Sequence, residues 1–191
     1  MTPDLINIDQ TYDRAIFREN RLDGREFDGC VFNQCDFSGT TFSGCTFIDC
    51  EFIGCNLSMA QLPNTGLKTV AFVDCKLLGI RFDACDDFLF AVRFTDCTLD
   101  YSWFSKKKMP KTVFANTSLK GVNFEATDLT ASTFDHCNLD EVVFDQTNLT
   151  GADLSTAYHI RLDPERNTIK KAKFATDSLP GLLEKYDICI E

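Results

Sequence analysis

The stretch CVFNQCDFSGTTFSGCTFIDCEFIGC, residues 30–55, carries a phenylalanine at every fifth position. The same spacing extends to both sides, so that steps of five from Phe17 to Phe82 meet only Phe or Leu. A second run with this spacing goes from Leu89 to Leu154, with one exception. Of the 28 centre positions, 27 are therefore Phe or Leu, which is far beyond chance and marks an internal repeat.

A period of five residues suits neither a helix nor a strand, because both would scatter the apolar residues over several faces. The period is satisfied when the chain turns a corner every five residues, so that four segments close one coil of 20 residues around a common core. We therefore predict a square β-solenoid, with a two-residue slip near residues 85–88. If the slip bulges outward without skipping a side, one column of centres contains Phe32, Phe52, Phe72, Phe94, Phe114, Phe134 and Leu154.

The residue two places before each centre also faces inward in this scheme, and it is usually small. Eight of the ten cysteines occupy that position, and Cys85 continues the same count before the slip. A disulfide ladder through Cys35, Cys55 and Cys75 is one interpretation, since these residues stack one coil apart. We favour buried free thiols, because side chains that leave in parallel suit the disulfide torsion poorly. The chain has two histidines and no C-x-x-C pair, so no metal site is expected.

The formal charge of −10 argues against direct nucleic-acid binding and against a polybasic membrane anchor, and it favours a positively charged partner. The basic cluster of Lys106, Lys107, Lys108 and Lys111 does not outweigh that balance. The N-terminus has no secretion signal and no stretch of 18 apolar residues occurs, so we expect a cytoplasmic protein. No phosphate loop or nucleophile–base pair is visible, and we expect no enzyme activity and no cofactor.

The segments Cys35–Gly39, Thr127–Ala131 and Ala152–Thr156 resemble the A(D/N)LXX motif of the pentapeptide-repeat family over residues 15–156. The resemblance implies an all-β fold, a right-handed quadrilateral parallel β-helix. Within the family the chain is most similar to the quinolone-resistance group of Qnr and MfpA type, since a short helix and an apolar tail follow the repeats. Qnr proteins carry long loops that project from the coil. This chain lacks such loops, as MfpA-type proteins do.

Membership of that group implies a non-enzymatic protein that mimics DNA, binds DNA gyrase and topoisomerase IV, and forms a homodimer through its C-terminus. The lack of long loops favours inhibition of supercoiling over protection against quinolones. The alternative is a protein-interaction scaffold with another target, whose acidity only keeps it soluble. The sequence does not separate these hypotheses.

One side of the predicted rod, that of Phe32, is more acidic than the others. With Arg93 its residues sum to −4, whereas the other sides sum to −2, −1 and −1. We interpret this side as the partner-binding face, and a merely solvated face is the alternative. Its acidic residues are Glu51, Asp74, Asp96, Asp135 and Asp153.

Two charged residues, Asp87 and Lys107, fall on the small inward position, where burial of either charge alone is costly. They are 20 residues apart, which is one coil. We therefore predict a buried ion pair beneath the slip. The alternative is that the bulge turns Asp87 outward and Lys107 extends to water.

The predicted domain organisation has three parts: an N-terminal cap over residues 1–14, the β-helix over 15–156, and a C-terminal region over 157–191. The C-terminal region should contain a partial coil centred on Ile169 and Phe174 and a helix from about Leu179 to Tyr186 that covers the end of the core. Its apolar residues exceed what a solvated tail needs. We predict dimerisation through Leu182, Leu183, Ile188 and Ile190.

Overall fold

A computed structural model describes residues 6–189, which are built from short strands and one short helix. Three single 3-10 turns accompany them, at Phe82–Ala84, Thr176–Ser178 and Glu184–Tyr186. The strands and the helix are β1 (Ile6–Ile8), β2 (Thr11–Asp13), β3 (Glu26–Asp28), β4 (Val31–Asn33), β5 (Thr46–Ile48), β6 (Glu51–Ile53), β7 (Gly66–Lys68), β8 (Val70–Val73), β9 (Val92–Thr95), β10 (Val113–Ala115), β11 (Thr133–Asp135), β12 (Asp153–Leu154), β13 (Lys173–Phe174) and α1 (Leu179–Leu183).

The strands form two parallel sheets, one on each of two sides of the coil. One sheet has the order β1-β3-β5-β7, and the other has nine strands in the order β2-β4-β6-β8-β9-β10-β11-β12-β13. Paired residues are 20 apart in the regular coils, as Phe32 is from Phe52. The other two sides are held by isolated parallel bridges with the same offset, such as Asp36 with Asn56 and Thr41 with Gln61. The predicted four-sided parallel β-helix is confirmed.

The centre residues fill the core as columns of stacked rings. In the nine-stranded sheet the ring centroids of Phe32 and Phe52 are 4.6 Å apart, and those of Phe94 and Phe114 are 5.4 Å apart. Phe72 stacks on Phe94 at 5.3 Å across the slip, so the slip does not skip a side. In this column each phenylalanine from Phe32 to Phe114 therefore stacks on an aromatic ring in the coil on either side, and neighbouring columns meet edge to face.

The small inward residues donate hydrogen bonds as well as fill space. Thr65 Oγ1 donates to the carbonyl of Phe42 at 2.5 Å, and Cys55 Sγ donates to the carbonyl of Phe32 at 3.2 Å. The same contact to a centre carbonyl 23 residues earlier is made by Thr127 and by Cys75. This explains why Cys, Thr and Ser are favoured there, since each combines small size with a donor.

The predicted free thiols are confirmed, because the nine cysteines of the coils are buried and unpaired. Burial raises the pKa of Cys50 and of Cys137 to about 12. A thiol with so high a pKa is not a nucleophile at neutral pH. Cys50 and Cys137 therefore act as packing and hydrogen-bonding residues.

The slip lies at residues 87–91. Asp86 N donates to Thr65 O in the 20-residue register, whereas Val92 pairs with Val70 at an offset of 22. The prediction that Leu89 is a core centre is wrong: Leu89 is 63% exposed, and Phe90 is buried in its place. The reason is that Phe90 stacks above Leu67 at an offset of 23, since Ala91 N donates to Leu67 O, and the chain returns to an offset of 22 only at Val92.

The described part of the predicted cap already belongs to the β-helix. Within residues 6–14, β1 pairs with β3 and β2 pairs with β4, and Tyr12 stacks on Phe32 at 5.0 Å. Counting Phe and Leu misses this coil because its two centres are Asn7 and Tyr12. Residues 1–5 of the predicted cap lie outside the described residues.

The C-terminal region contains the partial coil, in which Phe174 pairs with Leu154 and Thr168 bridges Asn148. The predicted helix over 179–186 is shorter, because α1 ends at Leu183 and continues as a 3-10 turn. Ser178 precedes α1 without a side-chain cap bond. No helix within residues 6–189 is long and apolar enough to cross a membrane.

Candidate partner-binding face

All five acidic residues assigned to the Phe32 side lie on the outward surface of the nine-stranded sheet. Glu51 and Asp153 precede a centre, and Asp135 follows one directly. Asp74 and Asp96 occupy the next corner, where the backbone is left-handed with φ of 52° and 54°. We call this surface the acidic face. Its five residues lie on or directly after β6, β8, β9, β11 and β12, which stack in register in one sheet.

The N-terminal three of these carboxylates make no ion pair with any side chain in the described chain. Glu51, Asp74 and Asp96 lie in successive coils, and Asp74 and Asp96 are direct neighbours because Val73 pairs with Thr95. Adjacent coils are about 4.8 Å apart, so the like charges of Asp74 and Asp96 repel. Binding of a cationic group between them would relieve that repulsion.

The C-terminal two carboxylates already have partners. Asp153 Oδ2 lies 2.9 Å from Lys173 Nζ, and Asp153 Oδ1 accepts from Ser155 Oγ at 2.6 Å. The hydrogen bonds from Ser155 and Lys173 lower the pKa of Asp153 to about 2. Asp135 accepts from Thr156 Oγ1 at 2.9 Å. The uncompensated charge of the acidic face is therefore concentrated toward its N-terminal half.

The structure adds Asp13 and Arg14 to this face. Asp13 accepts from Asn33 Nδ2 at 2.6 Å, and Arg14 Nε donates to Gln34 at 2.9 Å. The sequence count missed both because it began at residue 15. Accepting Tyr12 as a centre would have placed Asp13 and Arg14 on this face.

Asp87 and Lys107 meet, but not as the buried pair that was predicted. Lys107 Nζ lies 2.6 Å from Asp87 Oδ1 and donates to the carbonyl of Cys85 at 2.5 Å. The Lys107 side chain is 2% exposed, whereas that of Asp87 is 84% exposed. Burial of Asp87 is therefore contradicted, since the bulge places its carboxylate at the surface. The ring of Phe90, 5.0 Å from the ammonium, covers the buried end.

The basic cluster around residue 107 does not form one surface. Lys107 is buried and Lys106 lies at a corner. Lys108 lies on the adjacent side, where it forms a parallel β-bridge with Asp128. Trp103 is outward, and the Arg81 guanidinium lies over its ring at 4.9 Å. In residues 6–189, no three His, Cys, Asp or Glu side chains are arranged to hold a metal ion.

The residues assigned to dimerisation are not equivalent. Leu182 is buried against its own chain, where Leu162 N donates to Gly181 O. Contrary to the prediction, it is therefore not available to a partner. Leu183 is half-buried and Ile188 is exposed. Ile190 lies outside the described residues. Ion pairs from Lys185 to Asp163 and Glu165, both at 2.7 Å, fix the helical segment to the last loop.

Comparison with known proteins agrees with this architecture. A pentapeptide repeat region matches residues 25–104, and pentapeptide repeats in eight copies match residues 127–158. The curated proteins contain no match.

Among solved structures, those of QnrB1, a plasmid-mediated fluoroquinolone resistance protein, are similar. A trypsin-treated form is 21% identical, covers 97% of this chain and 98% of its own, and has a TM-score of 0.64. A second trypsin-treated form is 22% identical over 97% of both chains, with a TM-score of 0.62. The full-length form has a TM-score of 0.53 at 22% identity, with 96% of this chain and 97% of its own covered. At these identities the likeness establishes the fold. The chain belongs to the pentapeptide-repeat proteins.

Proposed function

We propose that this protein is a non-enzymatic DNA mimic that binds a type II topoisomerase, DNA gyrase or topoisomerase IV, through the acidic face. The observation that carries the proposal is the row of unpaired carboxylates at Glu51, Asp74 and Asp96, in successive coils of a fold shared with QnrB1. The name of that relative supports a connection with fluoroquinolones. In this proposal the protein acts in the cytoplasm, where its targets work.

The proposed mechanism is competition for a cationic surface that normally receives DNA. The three carboxylates span two coil steps, which is roughly 10 Å. Duplex DNA presents a phosphate about every 1.7 Å along its axis, so the acidic face has a lower charge density. We therefore expect weaker binding than that of DNA, with a marked dependence on ionic strength.

Rigidity supports the same mechanism. The acidic residues stand on strands whose centres are stacked phenylalanines, and the nine-stranded sheet is continuous from β2 to β13. A side chain on such a sheet keeps its spacing to the next coil when a partner binds. Little conformational entropy is then lost on association.

The test is a supercoiling assay with purified gyrase, relaxed plasmid and the full-length protein, with and without a quinolone. We expect inhibition of supercoiling that weakens as salt is added. Absence of both inhibition and quinolone protection at tens of micromolar protein would contradict the proposal. That result would leave the chain as a scaffold for another protein. Protection without inhibition would assign the quinolone-resistance role instead.

A further inference from the structure

The side of the coil opposite the acidic face has a break in its backbone pairing. On this side Thr41 forms a parallel bridge with Gln61, and Arg81 forms one with Trp103. Within the described chain, however, no bridge joins Gln61 to Arg81. The acidic face is continuous through the same two coils, since β6 pairs with β8. The break is therefore local to one side of the rod.

The 3-10 turn at Phe82–Ala84 explains the break. Arg81 precedes this turn with ψ of 76°, which lies outside the extended range. Its carbonyl accepts from Ala84 N at 3.2 Å instead of from Leu62 N in the preceding coil. In a regular coil the corresponding carbonyl accepts from the centre residue, as that of Gln61 does from Phe42 N at 2.8 Å.

Three backbone groups consequently lack a hydrogen-bond partner in residues 6–189. They are the N–H of Leu62, the N–H of Arg81 and the carbonyl of Ala60. Leu62 and Ala60 are buried, with 5% and 3% of their surface exposed. Backbone groups of buried residues are nearly always paired, so three unpaired groups at one place indicate that a polar ligand or solvent binds there.

The same three residues line a hollow of about 500 Å³, a volume typical of small-molecule sites. The hollow is open because Gly79 has no side chain and because the Arg81 guanidinium lies over the ring of Trp103, 4.9 Å away in the next coil. Its other walls are mostly apolar, and they are formed by Met59, Gln61, Pro63 and Ala84.

The charge at the hollow is balanced. Among the lining residues that the structure describes, Arg81 alone is charged. Its Nε and Nη2 donate to the two carboxylate oxygens of Asp83 at 2.8 and 2.6 Å. A charged ligand would find no free counter-charge in the hollow, and burial of an unpaired charge is costly. An uncharged ligand is therefore favoured.

We propose that this hollow binds an uncharged carboxamide that is attached to an apolar group. The amide N–H donates to the carbonyl of Ala60, and the amide oxygen accepts from the N–H groups of Leu62 and Arg81 through its two lone pairs. The apolar group packs against Met59 and Pro63. A small amide and the side chain of Asn or Gln in a partner protein share this chemistry. The proposal does not depend on binding to a topoisomerase.

Solution NMR on the full-length protein is the test, because the amide resonances of Leu62 and Arg81 report on the two donors directly. Three probes share one apolar group: isovaleramide, methyl isovalerate, which lacks the donor, and isovalerate, which is an anion. We expect isovaleramide to shift both resonances with a Kd of about 1 mM, as suits so small a ligand. The ester and the anion should each bind at least about fivefold more weakly, since neither can donate to the carbonyl of Ala60.

A variant that fills the hollow separates binding there from binding elsewhere. Ala84→Leu places a larger side chain in the hollow and should abolish both shifts. Ala115→Leu adds the same group to the acidic face and should bind isovaleramide like the wild type. The spectra show whether each variant is folded, and Ala84→Val replaces Ala84→Leu if the leucine variant is not.

A second set of probes distinguishes the two sources of the amide. An acetylated and amidated pentapeptide of alanine with a central glutamine is compared with the same peptide with a central methionine. If the glutamine peptide binds more tightly than both the methionine peptide and isovaleramide, the site receives a side chain of a partner protein. If isovaleramide binds more tightly than the glutamine peptide, the site receives a small molecule.

Three results would overturn the proposal. The first is that tens of millimolar isovaleramide leaves the Leu62 and Arg81 resonances unshifted, which would leave solvent in the hollow. The second is equal affinity for the amide and the ester. The third is hydrogen exchange at both amides of the free protein as slow as at Phe42 and Trp103, because the ladder would then be closed in solution.

Discussion

The acidic face and the outward side of the sheet β1-β3-β5-β7 are built from the same repeat but differ in how charge runs along the rod. On the acidic face, carboxylates occur at intervals from β2 to β12 with few cations between them. On the side of the sheet β1-β3-β5-β7, the first coils carry carboxylates, and acids and lysines alternate from Lys68 onward, because Asp86 and Asp87 stand at the bulge and Lys108 bridges Asp128. A long surface of one sign suits an extended cationic partner, whereas a surface of mixed sign presents no such continuous charge.

The bulge at residues 87–91 is the main structural cause of the difference. The nine-stranded sheet passes the slip with Phe72 opposite Phe94, so the acidic face remains regular. The sheet β1-β3-β5-β7 ends at the coil before it, and two apolar residues emerge there. The extra residues therefore bulge from one side of the coil, and the strand pairing of the adjacent side continues without interruption.

The largest expected effect comes from removing a stacked ring that supports the acidic face. Phe94→Ala should lower the free energy of unfolding by about 3–5 kcal/mol, because Phe94 is fully buried and stacks on Phe72 and Phe114. Phe88→Ala at the exposed bulge is the matched control, and it should change stability by less than about 0.5 kcal/mol. Urea denaturation measures both, and equal losses would contradict the assignment of Phe88 to the surface.

The next largest effect concerns the ion pair between Lys107 and Asp87 at the bulge. Lys107→Ala should cost about 2 kcal/mol or more, since the carbonyl of Cys85 loses its donor and a cavity forms. Asp87→Ala should cost less, because water can reach the ammonium where the exposed carboxylate was.

Because the two residues share one contact, the double variant should be less destabilised than the sum of the single variants. Thermal and urea unfolding of the four proteins give the interaction free energy. Strict additivity would mean that Asp87 and Lys107 do not interact in solution.

A smaller effect tests the rule for the inward position. Thr65→Val keeps the size of the side chain but removes the hydrogen bond to the carbonyl of Phe42, and it should cost about 1 kcal/mol. Thr65→Ser keeps the donor and serves as the control for the lost hydroxyl. If the valine variant were as stable as the wild type, size alone would explain the preference.

The smallest effect concerns the paired end of the acidic face. The pKa of Asp153 is about 2 when folded, below its ordinary value of 3.8, so the stabilisation is present above that ordinary value and is lost as pH falls through the folded pKa. Asp153→Asn should therefore lower stability at neutral pH, by less than about 1 kcal/mol because the pair is partly exposed to solvent. The two proteins should converge near pH 2, and a difference that grows in acid would argue against this ion pair.

Much of the fold follows from the repeat alone, because a five-residue period in Phe and Leu is satisfied by one architecture. The exact centre at the slip did not follow, since Leu89 and Phe90 are equally apolar and only the geometry of the two extra residues selects Phe90. The first coil was missed because Asn7 and Tyr12 do not match the apolar pattern.

The sequence was enough to assign the candidate site to one face of the rod, but it did not show which of the carboxylates there are paired. Assigning residues to sides requires only the period, but Asp153 is compensated by Lys173 from a coil that the count did not reach. The opposite charges on the side of the sheet β1-β3-β5-β7 partly cancel in a sum over that side. A count resolved along the axis would have revealed them, because Asp28 and Lys108 lie in different coils of that side.

The central claim is that the acidic face, and not net charge, determines binding to a type II topoisomerase. The direct measurement is the affinity of purified gyrase for the wild type, for Asp74→Lys with Asp96→Lys, and for Asp23→Lys with Glu125→Lys on the opposite side, at two salt concentrations. Lysine is tolerated at these corners, as Lys106 and Lys111 have φ of 64° and 60° in equivalent positions. We predict at least about a tenfold loss and a weaker salt dependence for the acidic-face variant, and a much smaller change for the opposite-face variant. Equal losses in both variants, or no loss in the first, would contradict the account.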